Sequence, residues 1–211
     1  GLFRNLQAFA QSPQARQLDA TRARFLQKTL DWFKREGAGL APEQKQRLEA
    51  LNVELTEVTT RFSQNVLDAT NAYELLVEDV ARLKGLPERA INAARAAAEA
   101  KGKPGYRFTL QAPSYIPLLT YAEDRGLREQ IYRAMNTRAT REPFDNSALV
   151  ERILRLRNER AQLLGYDHFV DLVLHDRMAQ EGARALEFIR DLEQRTRGAF
   201  AAENAALQRF A

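Results

Sequence analysis

The sequence predicts a mainly α fold, a bundle of long helices that carries one minor β-hairpin. Apolar residues recur at steps of three and four along most of the chain, which is the spacing of one helix face. Only two short segments have the aromatic and branched composition of strands, and glycines and prolines separate the helical stretches. There is no internal repeat and no low-complexity linker, so we expect residues 1–211 to form a single helical domain.

The first predicted helix begins at Ser12-Pro13, with the serine as N-cap and the proline in the first turn. Gly37-Ala38-Gly39 ends it, because glycine readily adopts the left-handed conformation that follows a helix. The residues at helical spacing between these points are Leu18, Arg22, Phe25, Leu26, Leu30 and Phe33.

A second, longer helix is predicted from Pro42 to about Thr70, roughly 43 Å at 1.5 Å per residue. Its apolar residues follow one another at steps of three and four, which places them on one face. They are Leu48, Leu51, Leu55, Val58, Phe62, Val66, Ala69 and Tyr73. A helix of this length with one apolar stripe packs against other helices.

Two strand candidates follow, Tyr73–Val77 and Tyr106–Leu110, and we expect them to pair as an antiparallel hairpin. Between them, Pro87 starts a helix whose body is Ala90–Lys101, rich in the alanine that favours helix. Gly102 and Pro104-Gly105 end this helix before the second strand.

The remainder is predicted to be helical. The segments are Ser114–Ala122, Leu127–Arg138, a helix capped by Asp145-Asn146-Ser147 that runs to Leu164, a short turn or helix at Phe169–Val173, and Gly182–Phe210. In the last of these we expect an inward face formed by Leu186, Ile189, Leu192, Thr196, Phe200, Leu207 and Phe210.

Composition is that of an ordinary soluble globular protein, with 45% hydrophobic and 28% charged residues and a net charge of +4. The chain has no cysteine, which excludes disulfides and a thiolate nucleophile and fits a reducing compartment. We see no membrane-spanning run and no signal peptide, and therefore expect a cytoplasmic protein. Because the sequence starts with Gly1 and stops within an apparent helix, we expect both ends to continue in a longer polypeptide.

The two histidines, His168 and His175, are the first residues to test as metal ligands or acid–base groups. Their separation of seven residues spans roughly 10 Å along a helix, too far for two ligands of one ion. Asp167, Asp171 and Asp176 lie beside them, and a carboxylate–histidine pair is a second hypothesis. Helix caps, ion pairs and ordinary packing explain the cluster more simply.

Two further groups suggest binding. The one basic run consists of Arg152, Arg155, Arg157 and Arg160. These arginines could bind nucleic acid, but pairing with glutamates of the same helix is a simpler interpretation. Tyr106, Tyr115 and Tyr121 surround the Pro113–Pro117 segment and either line a peptide groove or fill the core around the hairpin. On residues alone, the chain is a helical scaffold in which we predict no catalytic and no metal-binding residue.

Several ordered segments resemble a known family. They are DWFKREG (Asp31–Gly37), FSQNVLDATNAYEL (Phe62–Leu75), FTLQAPSYIPLLTYA (Phe108–Ala122), DNSALVERILRLRNERAQLLGY (Asp145–Tyr166) and the later Met178-Ala179. In order and spacing they resemble the N-terminal helical part of the thimet oligopeptidase and oligopeptidase A family of zinc metallopeptidases.

The resemblance implies a two-lobed enzyme that hydrolyses internal bonds of short peptides in a channel between its lobes. Zinc would be held by an H-E-x-x-H helix and a later glutamate in the second lobe. This sequence contains no such motif, so the resemblance implies that this chain is a non-catalytic channel wall of the first, zincin-like lobe that binds no zinc itself. The residues that would contact substrate are not identified.

The resemblance implies two partners, short peptide substrates and the missing catalytic lobe, and it implies binding to neither nucleic acid nor a membrane. We also expect apolar surface that the missing lobe would cover, seen either as self-association of the chain or as a patch of unusual exposed hydrophobic residues. Two alternatives stay open: a stand-alone helical module that binds a protein partner, and a nucleic-acid binder that uses the Arg152–Arg160 surface.

Overall fold

A computed structural model describes residues 1–210 and confirms the mainly α prediction. The elements in chain order are α1 (Leu2–Ala10), α2 (Ala20–Arg35), α3 (Pro42–Ala72), β1 (Leu75–Val77), α4 (Glu88–Glu99), β2 (Tyr106–Phe108), α5 (Ala112–Tyr121), α6 (Arg125–Asn136), α7 (Ser147–Leu163), α8 (Phe169–Leu174) and α9 (Gly182–Phe210). Short 3₁₀ turns occupy Ala15–Gln17 and Val80–Leu83. Within residues 1–210, no helix is long and apolar enough to cross a membrane.

The chain divides into two compact units. The terminal unit comprises residues 1–55 and the chain from Leu154 onward, and the central unit comprises residues 56–153. Helices α3 and α7 contribute residues to both units. The single domain expected from the sequence therefore stays a prediction.

The start of the terminal unit differs from the sequence prediction. The structure has a separate helix α1, and the Ser12 hydroxyl donates a hydrogen bond to the Phe9 carbonyl at its end (2.7 Å). The prediction that a helix begins at Ser12-Pro13 is therefore wrong. Helix α2 begins at Ala20 instead, because the Asp19 carboxylate accepts a hydrogen bond from the Arg22 amide at 2.9 Å and caps it.

The end of α2 and the start of α3 agree with the prediction. Gly37 follows α2 with φ +82°, and a Cβ at this position would lie 2.4 Å from the Leu48 side chain. Glycine is needed here both for its backbone conformation and for the close approach of α3. The predicted stripe of α3 is confirmed: Leu48 and Leu51 are buried and its other members are half-buried.

The central unit contains the predicted hairpin. Strands β1 and β2 pair antiparallel, with Leu75 opposite Phe108 and Val77 opposite Tyr106. Helices α4, α5 and α6 surround the hairpin and close a continuous apolar core. Its most deeply buried large side chains are Val77, Leu83, Phe108, Leu118, Leu127 and Ile131. The predicted helix after Pro87 is confirmed as α4, with Pro87 at its N-cap.

Local caps set the later helix boundaries of the central unit. The Asp124 carboxylate accepts from the Leu127 amide at 3.0 Å and starts α6. The Asp145 carboxylate accepts from the Ser147 amide at 2.9 Å, where α7 begins as predicted. Asn146 is buried there, donating to the Phe62 carbonyl at 3.0 Å and accepting from Asn65 at 2.8 Å. These hydrogen bonds satisfy the side-chain amide of Asn146, whose burial without partners would cost free energy.

Helix α9 has the predicted bounds but not the predicted burial. No residue of α9 is buried. Leu186, Ile189 and Leu192 are 46%, 60% and 50% exposed, and Phe200, Leu207 and Phe210 are 69%, 66% and 91% exposed. Thr196, the remaining residue of the expected inward face, is exposed as well. The prediction that this face points inward is wrong, because periodicity identifies an apolar side without supplying the surface that covers it.

Candidate functional site

The two histidines lie at opposite ends of α8 in the terminal unit. His168 occupies the N-cap position without a capping side-chain bond, and His175 occupies the C-cap position. The His175 ring packs edge-on against Tyr166, with centroids 5.7 Å apart. Within residues 1–210, no group of three or more His, Asp or Glu side chains is arranged to hold a metal ion. The structure places the histidines as helix-end residues.

The aspartates beside the histidines have structural partners. Asp176 pairs with Lys28 and lies 3.4 Å from the Arg35 guanidinium. The hydrogen bond from Lys28 is the main reason that the pKa of Asp176 is below its ordinary value. Asp171 accepts a hydrogen bond from the Gly182 amide at 2.8 Å, which ties the start of α9 to α8. Ion pairing and capping thus account for both carboxylates, as the simpler interpretation predicted.

An open groove of about 650 Å³ runs along the junction of α8 and α9. Its polar lining includes Asp167, His168, Asp171 and Glu181, and its apolar lining includes Val170 and Leu186. Three of these four polar groups are acidic, and one of the three, Asp171, already accepts a hydrogen bond from Gly182.

The basic run is engaged within the protein. The Arg157 guanidinium lies over the Phe169 ring at 5.2 Å from its centroid. Arg160 lies 3.8 Å from the Glu36 carboxylate, and Glu159 accepts from Arg47 at 2.7 Å. Arg152 and Arg155 have interaction partners too. The partner of Glu159 lies on α3 and the partner of Arg160 directly follows α2, so the predicted pairing within one helix is wrong for them.

The three tyrosines differ in their burial. Tyr106 is buried, and its hydroxyl accepts a hydrogen bond from Arg95 at 3.1 Å. Tyr115 packs against the same core, whereas Tyr121 is 51% exposed. The Pro113–Pro117 segment between them is part of helix α5, with Pro117 inside the helix. The core-filling interpretation therefore holds for Tyr106 and Tyr115.

Sequence reasoning missed one cluster of charges in the central unit. Glu74 pairs with Lys103 and accepts from Arg107 Nε at 3.0 Å. The hydrogen bonds from Lys103 and then from Arg107 hold the pKa of Glu74 below its ordinary value. The predicted antiparallel pairing could have identified this cluster, because it brings Glu74, the residue before β1, close to the charged residues in and before β2.

Comparison with known proteins gives a family for these residues. The model of peptidase family M3 matches residues 118–211. Oligopeptidase A of Haemophilus influenzae is 41% identical over 202 residues, 93% of this chain and 30% of its own length. Oligopeptidase A of Escherichia coli is 43% identical over 184 residues, 85% of this chain and 27% of its own length. A protein of Arabidopsis thaliana called "Probable cytosolic oligopeptidase A" is 33% identical over 185 residues, 84% and 26% of the two chains.

The chain thus spans less than a third of the length of these relatives. The similarity itself covers nearly the whole chain and includes both compact units. The chain belongs to peptidase family M3, and over most of its length it is similar to oligopeptidase A.

Proposed function

We propose that these residues are the N-terminal, channel-wall portion of a zinc-dependent oligopeptidase that hydrolyses internal bonds of short peptides. The observation that carries the proposal is the pattern of coverage. A relative named oligopeptidase A aligns with 93% of this chain, but this chain accounts for only 30% of that relative. The name of the Arabidopsis relative supports a cytoplasmic location.

Zinc does not fit the residues of this chain. The two histidines lie at opposite ends of a six-residue helix, and no cluster of three metal-ligating side chains occurs within residues 1–210. A catalytic zinc site needs three protein ligands and an open position for water. We therefore propose that zinc belongs to the part of the enzyme that this chain does not match, and that these residues are not catalytic.

The role left for this part is to shape access to the active site. The candidate groups on the terminal unit that could have served chemistry, Asp176, Asp171 and Arg160, have structural partners instead. The core of the central unit is closed around Phe108 and Leu118, as expected of a rigid wall.

The test has two arms. The reading frame beyond Ala211 should encode H-E-x-x-H followed by a further glutamate ligand, and the protein that it encodes should cleave an internally quenched peptide of about ten residues. The 211-residue chain should not cleave this peptide, with or without added zinc. A frame without the motif, or zinc-independent cleavage by the 211-residue chain, would overturn the proposal.

The second candidate function is a helical module that binds a protein partner. The exposed apolar side chains of α9 are the observation that favours it. A reading frame that stops near Ala211 would make this candidate the leading one.

A further inference from the structure

The apolar side of α9 is exposed along its whole length. We call the α9 stripe the six side chains Leu186, Ile189, Leu192, Phe200, Leu207 and Phe210, which are between 46% and 91% exposed. At 100° per residue they share an arc of about 120°, and they extend over about 36 Å. Single exposed apolar residues are ordinary, but six large ones along one side of a helix mark an interaction surface.

Helix α9 is held to α8 at its start. The Gly182 amide donates to Asp171, and a Cβ at Gly182 would lie 2.5 Å from Val170. From Leu186 to Phe210, every residue except Asn204 is exposed. Long helices owe most of their stability to packing of an amphipathic face. The start of α9 is therefore built into the terminal unit, while its stripe lacks the surface that such a helix requires.

The charged residues of α9 indicate which charge a covering surface would need. The ion pair of Arg195 with Asp191 lies outside the arc of the stripe, whereas Glu193 lies inside the arc and is paired within the helix with Arg197. Glu203 lies inside the arc of the stripe, is exposed, and has no ion pair among residues 1–210. Burial of an unpaired carboxylate is costly, so a covering surface must place a basic side chain opposite Glu203.

We propose that the α9 stripe docks against the portion of the same peptidase that this chain does not match, through an apolar helical surface with a basic residue opposite Glu203. The inference rests on the proposed function. The chain accounts for 30% of the length of the H. influenzae relative, so most of such a polypeptide is available to cover α9. A membrane is disfavoured, because α9 carries Glu187, Asp191, Glu193 and Glu203 alongside its arginines.

The experiment uses a chimera in which the 211 residues replace the matching segment of H. influenzae oligopeptidase A. Hydrogen exchange of residues 186–210 is measured in the chimera and in the 211-residue chain. We expect at least a tenfold slowing of exchange in the chimera. Leu192→Glu and Phe200→Glu should abolish the slowing, and Glu203→Lys should reduce it.

Gln194→Glu and Gln208→Glu are the matched controls. Both positions are exposed and lie off the stripe, and each substitution adds the same charge as the stripe variants. They should leave the slowed exchange unchanged. In the 211-residue chain, stripe and control variants should have the same unfolding midpoint, because the stripe is uncovered there.

If the chimera does not fold, co-expression decides. The 211-residue chain should co-purify with H. influenzae oligopeptidase A from which the matching segment has been deleted, and Leu192→Glu but not Gln194→Glu should prevent this. Absence of co-purification by the unsubstituted chain would overturn the docking proposal. So would equal exchange in a folded chimera and the isolated chain.

In the folded chimera, the docking proposal and the proposed function can be rejected independently of each other. Slowed exchange without peptide cleavage would retain the docking surface and reject the proposed function. Cleavage with fast exchange across the stripe would retain the function and reject the docking surface.

Discussion

The hairpin core of the central unit and helix α9 of the terminal unit use the same kind of sequence with opposite results. Both carry large apolar residues at the spacing of their secondary structure. In the hairpin core, Phe108 and Leu118 are 1% and 0% exposed, whereas in α9 Phe200 is 69% exposed. The difference shows that an apolar pattern specifies which side of an element is to be covered, and that other parts of the chain decide whether it is.

The largest expected effect comes from the buried member of this comparison. Phe108→Ala should lower the free energy of unfolding by about 3–5 kcal/mol, because it leaves a cavity in a closed core. Phe200→Ala, the same substitution on α9, should change it by less than about 0.5 kcal/mol. Urea denaturation followed by circular dichroism measures both. Equal losses for the two variants would mean that Phe200 is packed in solution.

A glycine of the hairpin should give the next largest effect. Gly105 has φ +83°, and a Cβ there would lie 2.5 Å from the Val77 carbonyl oxygen. Gly105→Ala should cost about 2–3 kcal/mol, because it combines backbone strain with a clash.

Gly102→Ala is the matched control for Gly105→Ala. Gly102 has φ +64° but no atom within 4 Å of the added Cβ, so its substitution should cost only about 1 kcal/mol. The difference between the two unfolding free energies measures the close approach of the strands. If the two variants are equally stable, the hairpin is looser than the structure describes.

The Glu74 cluster should give a smaller effect that depends on pH. Because pairing with Lys103 and Arg107 lowers the pKa of Glu74 in the folded state, ionisation stabilises the fold above the ordinary glutamate pKa. This contribution is lost as the pH falls through the lowered pKa. The unfolding midpoint of the unsubstituted chain should therefore fall between pH 6 and pH 3 more steeply than that of Glu74→Gln. Parallel profiles would remove Glu74 as a source of acid sensitivity.

Gly198 in α9 offers the smallest effect. It is exposed, lies inside the helix and has no atom within 4 Å of an added Cβ. Gly198→Ala should stabilise the helix locally by about 1 kcal/mol, since alanine favours helix more than glycine does. The readout is slower hydrogen exchange within α9 and an unchanged unfolding midpoint for the hairpin core. A raised midpoint of the core would show that α9 and the core unfold together.

Local signals explain what the sequence could predict. The bounds of α9 and the extent of α3 follow from periodicity, prolines, glycines and caps, all within a few residues of one another. The pairing of β1 with β2 follows from their being the only two segments with the composition of strands. Ser12 was misleading because its hydroxyl accepts from the Ala15 amide, as an N-cap would, but at the 3₁₀ turn Ala15–Gln17, and it also donates to the end of α1, so α2 does not begin there.

The ion pairs between helices distant in sequence were not predicted. The partners Glu36 of Arg160 and Arg47 of Glu159 lie more than a hundred residues away along the chain. The same holds for the burial of α9, which depends on a covering surface that its own periodicity does not describe. The absence of a zinc motif was readable from the sequence, because H-E-x-x-H is a local pattern.

The most direct test of this contrast is hydrogen exchange resolved along the isolated 211-residue chain. Amides of residues 186–210 should exchange at least roughly 100-fold faster than those of Leu118, Leu127 and Ile131, because local opening of an unpacked helix requires little free energy. Comparable protection in α9 and in the hairpin core would contradict the account, since it would mean that the stripe is already covered.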